Sequence, residues 1–247
     1  MSDEKKIIIV GASSGIGRET AICFAQAGWK VGIAARRHEQ LIEIQKLYPN
    51  QIYTGAMDIT EPSCTKSLNS LIEKIGGMDV YLHVSGIGKQ NNTLAEGIEI
   101  DTLRTNGEGF ARCIGEAYRY FTKIGHGHIA AVTSIAGTKG LGMAPAYSAT
   151  KRFQNTYLQC LAQLSSIKKI QVKFTDIKPG FVATELLNDV HQYPMLMTAP
   201  KVAKRIYKGI LKQERSVVID WRYNLLTMVW KLIPDYVWER LVVKTKN

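Results

Sequence analysis

Seven short apolar runs recur along this chain, and helix-length segments separate almost all of them. They read K-K-I-I-I-V-G, K-V-G-I-A-A, Q-I-Y-T-G-A-M, D-V-Y-L-H-V, H-I-A-A-V-T, I-Q-V-K-F-T-D-I and S-V-V-I-D. Runs of this kind mark strands buried on both faces, and strands alternating with helices form a parallel sheet covered on both sides. The pattern predicts an α/β chain with about seven parallel strands, doubly wound, forming a single domain over residues 1–247. A short helical tail at 221–247 lies beyond what the sheet requires. Turn residues fall between the runs, at Gly28, Pro49, Gly76-Gly77, Gly125-His126-Gly127 and Pro179-Gly180, and no repeat or low-complexity linker intervenes.

The first strand runs directly into V-G-A-S-S-G-I-G and then a helical segment. Strand, glycine-rich turn and helix make a Rossmann-like unit, in which backbone approaches a pyrophosphate and a helix N-terminus faces its charge. Gly11, Gly15 and Gly17 are spaced G-x-x-x-G-x-G. The second strand ends I-A-A-R-R, with no acid before Glu39. An acidic residue at that tip would bind the ribose 2′-hydroxyl of NAD, whereas arginine accommodates the 2′-phosphate of NADP. Arg36, with Arg37 beside it, therefore predicts NADP, with NADPH preferred over NADH.

Residues 147 to 151 read Y-S-A-T-K. Positions i and i+4 of a helix share a face, so Tyr147 and Lys151 point the same way. An ammonium beside a phenol favours the phenolate, which predicts a Tyr147 pKa drawn down from its ordinary value of about 10.

Together these features resemble the short-chain dehydrogenase/reductase family over residues 5 to 220. Gly11 to Gly17 match its cofactor turn, and Tyr147 and Lys151 its Y-x-x-x-K. M-D-I-T supplies Asp58, R-T-N Asn106, V-T-S Ser134, and P-G-F-V-A-T Pro179, Gly180 and Thr184, all in the family's order. The resemblance implies cofactor contacts at Gly11, Ser13, Ser14, Gly15, Ile16, Gly17, Asp58, Ile59, Ser85, Gly86, Pro179, Gly180, Val182 and Thr184, besides Arg36, Arg37, Tyr147 and Lys151. It implies that Tyr147 exchanges a proton with a substrate oxygen that Ser134 also holds. Lys151 would bind the nicotinamide ribose, and Asn106, within the fourth long helix, would hold a water linking Lys151 to solvent. Two positions depart from the pattern: Val10 replaces a threonine, and His83-Val84-Ser85-Gly86 replaces N-N-A-G, with His83 expected as a buried, hydrogen-bonded residue.

The reading is thus an NADP-dependent oxidoreductase interconverting a carbonyl and an alcohol, acting on a small molecule and assembling as a homodimer or homotetramer. The alternative is a catalytically silent NADP-binding sensor or scaffold; an epimerase or dehydratase would call for a larger C-terminal substrate domain. Leu141, Met143, Phe181, Leu186, Met195 and Met197 suggest an apolar pocket for a hydrophobic ketone, under a segment after Thr184 that could close as a lid, while Lys89 and Lys139 could recruit an acidic group.

The net charge of +11 allows anionic partners, but no nucleic-acid-binding signature accompanies it. From 201 to 247, 11 Lys and Arg stand against 4 Asp and Glu. Four cysteines without a C-x-x-C pair argue against a metal site or disulfide framework. The N-terminal apolar run is too short for a signal peptide, so a cytoplasmic location is expected. The tail carries Trp221, Trp230 and Trp238 in two apolar helical stretches separated by Pro234, too interrupted to span a bilayer. Two roles remain open for it: packing on its own domain or a second subunit, or lying in an anionic membrane interface.

Overall fold

The computed structural model describes residues 4–187 and 193–242. Strands β1 (Lys6–Val10), β2 (Lys30–Ala35), β3 (Ile52–Ala56), β4 (Val80–His83), β5 (His126–Val132), β6 (Gln171–Lys178) and β9 (Ser216–Val218) form one seven-stranded sheet in the order β3-β2-β1-β4-β5-β6-β9. Every neighbouring pair in it is parallel. Two further two-residue strands, β7 (Val182–Ala183) and β8 (Met197–Thr198), pair apart from it; no periodicity of the sequence marks pieces so short.

The unbroken I-I-I-V of β1 follows from burial on both faces. Ile7 and Ile9 enter one core and Ile8 and Val10 the other, as the two-residue period of a strand requires. Helices α1 (Gly15–Gln26), α2 (His38–Leu47) and α7 (Ala199–Leu211) cover the first face through Phe24, Leu41, Val202 and Ile206. The second is covered by α3 (Cys64–Ile75), α5 (Phe110–Ile124) and α6 (Pro145–Ile167) through Leu68, Leu71, Phe110, Ile114 and Leu158. The long helix expected around Asn106 is α4 (Glu96–Leu103) joined to α5 by a π-helical turn, Arg104–Gly109.

Strand order reverses at β1, which has β2 on one side and β4 on the other. A crevice therefore opens beyond the carboxyl ends of these strands, the place where α/β sheets take ligands. Two backbone amides close its floor: Val84 N and Ser85 N both donate to Val10 O, at 2.8 and 2.9 Å.

The tail forms α8 (Trp221–Leu232) and α9 (Asp235–Trp238), and it packs on its own chain. Tyr223 is buried; its hydroxyl accepts from Phe181 N at 3.2 Å and donates to Pro194 O at 2.7 Å. Trp238 is also buried, stacks edge-on against Trp230 and donates its indole N–H to Gly140 O at 2.6 Å. The Tyr223 ring lies so close over Gly180 that a Cβ there would sit 2.2 Å from two ring carbons. Gly180→Ala should therefore destabilise the protein by about 1–3 kcal/mol through overpacking, and Tyr223→Ala should absorb most of that loss in the double variant. Chemical denaturation of the four proteins of the cycle tests both statements.

Candidate active site

A cleft of about 430 Å³ occupies the crevice. Its wall takes in Gly11, Ser13, Ser14, Gly15 and Ile16 of the turn after β1, Arg36 and Arg37 after β2, Asp58 and Ile59 after β3, Ser85 and Gly86 after β4, and Thr184. These residues lie far apart in the chain, and the parallel sheet delivers all of them to one edge.

The wall fits a dinucleotide. Gly11 has φ +92°, and a Cβ on it would stand 2.4 Å from Ser85 N, so the cleft floor there is bare backbone. Helix α1 begins on the wall, and Ser14 at its N-cap makes no side-chain cap hydrogen bond. The first N–H groups of α1 thus have no side-chain cap and suit a pyrophosphate. Gly17 serves differently: it is not on the wall, and a Cβ there would lie 2.1 Å from Gly11 O. It lets helix and turn meet.

The two arginines are not equivalent. Arg37 is already engaged, donating to Glu185 Oε2 at 2.7 Å, to Ser14 Oγ at 2.8 Å and to Ser13 Oγ at 3.1 Å. The hydrogen bond from Arg37 holds the Glu185 carboxyl below its ordinary pKa. Arg36 has no hydrogen-bond or ion-pair partner among the described residues and stands on the wall with its guanidinium uncommitted. Asp58 Oδ1 accepts from Thr60 N at 2.9 Å and from Thr60 Oγ1 at 2.7 Å. Burial opposes its charge, but these two hydrogen bonds and nearby Arg36 together hold the carboxyl below its usual range.

Behind Gly86 and Ile87 of the wall lie Asn106 and Lys151, with Tyr147 and Ser134 beside them. Ser134 caps a short 3-10 turn, Ile135–Gly137, and accepts from Ala136 N at 3.0 Å. Its hydroxyl faces the Tyr147 phenol and favours the ionised form of that group. Tyr147 and Lys151 project from the first two turns of α6, with the ammonium 5.6 Å from the phenol ring centroid. The floor beneath them is glycine again: a Cβ on Gly86 would be 3.5 Å from Lys151 Nζ, and one on Gly88 would be 2.6 Å from the Tyr147 ring.

The expected lowering of the Tyr147 pKa is not what the structure gives. Desolvation raises it, and the Ser134 hydroxyl only partly offsets that rise. Lys151 is itself the more strained group: burial draws its pKa down to about 8, with Asp176 opposing the fall. Its Nζ donates to Val132 O at 3.2 Å and to Gln154 Oε1 at 3.1 Å.

Asn106 is fully buried in the π-helical turn, and its side chain clasps the backbone of Ile87. Its main-chain carbonyl accepts from Gln154 Nε2 at 2.8 Å. One buried amide, that of Gln154, therefore joins Lys151 to Asn106 directly. Asp176, also buried, accepts from Asn155 Nδ2 at 2.9 Å and from Thr133 Oγ1 at 2.6 Å. Gln154, Asn155 and Asp176 carried no recognisable signal in the sequence.

Several expected site residues lie off the cleft wall. Besides Tyr147 and Lys151, Pro179 accepts from Ile135 N at 3.1 Å, Gly180 lies beneath Tyr223, and Val182 is buried in β7. His83 is buried as expected, its Nδ1 2.9 Å from the Tyr81 hydroxyl; desolvation, with Lys151 nearby, lowers its pKa to about 3 and keeps it neutral. Met197 belongs to the core and not to a substrate pocket, because β8 carries it inward. Lys139 is held by Asp235 of α9 and is not free to recruit a substrate. The Leu186 side chain and residues 188–192 of the expected lid fall outside the described residues.

Comparison with known proteins gives the family and the fold. The sequence profile of the short chain dehydrogenase family matches residues 5–194. An uncharacterized oxidoreductase of Myxococcus xanthus is 30% identical over 241 residues, covering 92% of each chain. A short chain dehydrogenase/reductase from Burkholderia phymatum, solved in complex with NAD, superposes with a TM-score of 0.85 at 16% identity, covering 99% of this chain and 98% of that one. ElxO, solved with NADP bound, gives 0.79 at 24% identity, covering 90% and 99%.

The geometry predicts how Lys151 titrates. Asp176 raises a pKa that burial lowers to about 8. Removing that charge in Asp176→Asn should therefore move the Lys151 titration to lower pH, followed by the side-chain carbon shift in NMR. An unchanged midpoint would show that Asp176 does not act on the ammonium.

Proposed function

Since the chain belongs to the short-chain dehydrogenase/reductase family and is an oxidoreductase, we propose that it interconverts a carbonyl and an alcohol with NADP(H), all of residues 1–247 serving one cofactor-binding and catalytic unit. The observation that carries this reading is the convergence of Ser134, Tyr147 and Lys151 next to Gly86 of the cleft wall. When bound, the nicotinamide would supply or accept the hydride. Tyr147, its pKa raised, stays protonated at neutral pH and can donate to a substrate oxygen as negative charge develops there. Ser134 faces the same phenol and can hold that oxygen in place. Lys151 keeps most of its charge at pH 7, so its ammonium can both bind ribose hydroxyls and favour proton flow toward Tyr147.

Phe181, whose ring meets Tyr193, and Met195, both half-buried against the core, favour an apolar carbonyl substrate. Exposed Ile100, Leu103 and Phe153 favour assembly as a homodimer or homotetramer. The rival reading, a silent NADP-binding sensor, keeps the cleft and loses turnover. Tyr147→Phe separates the two: NADPH-dependent reduction across a panel of hydrophobic ketones should fall by roughly 10²–10⁴-fold with NADPH affinity nearly unchanged. A wild-type protein that binds NADPH and reduces nothing on the panel would favour the sensor.

For the cofactor, Arg36 is the residue proposed to meet the 2′-phosphate, because Arg37 is held by Glu185, Ser13 and Ser14. Arg36→Ala should weaken NADPH by about 1.5–3 kcal/mol, roughly one to two orders of magnitude in Kd, and leave NADH nearly unaffected. Equal loss for both, measured by fluorescence titration, would assign Arg36 to the fold.

A further inference from the structure

Helix α8 has two apolar faces, and only one of them is used. Tyr223, Leu226, Thr227 and Trp230 turn toward the chain and are buried or half-buried. On the opposite side Trp221, Leu225, Met228, Val229 and Leu232 recur at helical spacing, fall within roughly 100° of arc, and are exposed. Leu232 is 83% exposed and Trp221 74%, among the highest values for large apolar side chains in the chain. Tyr236, Leu241 and Val242 continue the exposed surface past Pro234.

Beside this face is a second cavity, of about 320 Å³, and its character is polar and basic. Lys178, Arg205 and Lys231 line it together with Thr138, Ser216 and Asn224, and Met228 of the apolar face forms part of its rim. Asp176 matches Lys178, and Glu214 matches Arg205. Lys231 has no hydrogen-bonded or ionic partner among the described residues. Arg222, on the other flank of the face, is paired with Asp220.

We infer that α8 docks on an anionic phospholipid bilayer, its exposed apolar face entering the headgroup boundary and Lys231, at the mouth of the polar cavity, meeting a lipid phosphate. Charge supports this occupant: the chain from 201 to 247 holds 11 Lys and Arg against 4 Asp and Glu, and cations bordering a shallow apolar stripe with aromatic residues are the pattern of interfacial helices. No helix among the described residues is long and apolar enough to cross a membrane, so the segment lies on the surface. A second copy of the chain is a poorer occupant. Stable protein contacts bury roughly 800 Å² and 20–30 residues on each partner, whereas this surface offers eight exposed apolar side chains, the five of α8 with Tyr236, Leu241 and Val242. Docking would also bring the catalytic end close to the lipid, because Trp238 and Asp235 tie α9 to Gly140 and Lys139, in the loop before Tyr147. The docking does not depend on the reaction proposed above.

Vesicle flotation of the full chain tests it, with phosphatidylcholine vesicles alone or mixed with phosphatidylglycerol. The chain should float with the mixed vesicles and not with phosphatidylcholine. Leu225→Gln/Leu232→Gln should weaken that binding at least roughly tenfold, and Lys231→Glu by about fivefold. NADPH affinity should stay unchanged in both, which checks that they fold; if the double variant fails that check, Trp221→Gln takes its place. Absence of flotation by the wild type, or variants that float as it does, would overturn the proposal. So would an oligomer that the leucine substitutions dissociate with no change in flotation, since the face would then belong to a second copy.

Discussion

The molecule is organised around an ammonium held out of water. Lys151 is 5% exposed, and removing such a charge from solvent costs several kcal/mol even after relaxation. The compensation comes from three directions: a main-chain carbonyl of β5, the Gln154 amide one turn along α6, and the field of Asp176 from β6. Each draws on a different element, so the register of α6 against the sheet has to be fixed closely. Two contacts fix it. Ser148 donates to Ala136 O at 2.8 Å, pinning the first turn of α6 to the 3-10 turn that carries Ser134. Gly137 permits that approach, since a Cβ there would stand 2.8 Å from the Lys151 carbonyl carbon.

Much of this was legible beforehand, and what was legible shares a property. The strand runs, the glycine turn and the Tyr147–Lys151 spacing are local, so a short stretch of sequence holds the whole signal. Gly11 is such a case, since its place after a strand already demands close backbone approach. The unseen parts are pairings across distance: Asp176 with Asn155 and Thr133, Gln154 with Asn106, and Glu185 with Arg37. Glutamine three residues after Lys151 reads as any polar helical residue until the π-helical turn brings the Asn106 carbonyl within 2.8 Å of it. The arginine pair shows the same limit in reverse, because composition treats Arg36 and Arg37 alike and only the fold commits one of them to Glu185.

Spacing also misled in one instructive way. Helical periodicity correctly places phenol and ammonium on one face, but it says nothing about how much water either keeps. Both groups are desolvated, so each moves toward its neutral form: the phenol upward, the ammonium downward to about 8. The ammonium cannot dominate the phenol from 5.6 Å to the ring centroid while its own hydrogen bonds point to Val132 and Gln154. The phenol is thereby kept in its protonated form, and the resting charge of the pair sits on the ammonium.

The C-terminal segment resisted a single reading for a physical reason that the fold makes plain. A helix apolar on one side announces which side is buried, but α8 is apolar on two. Packing on its own chain and meeting a separate apolar phase were posed as alternatives, yet Tyr223 and Thr227 satisfy the first while Leu225 and Leu232 remain turned outward. The inner face is bound into the site: the Tyr223 hydroxyl spans from Phe181 N to Pro194 O, on either side of the segment after Thr184, and Trp238 holds Gly140. A helix anchored this firmly on one side presents the other as a rigid surface, so whatever that surface meets is held in a fixed orientation to Tyr147.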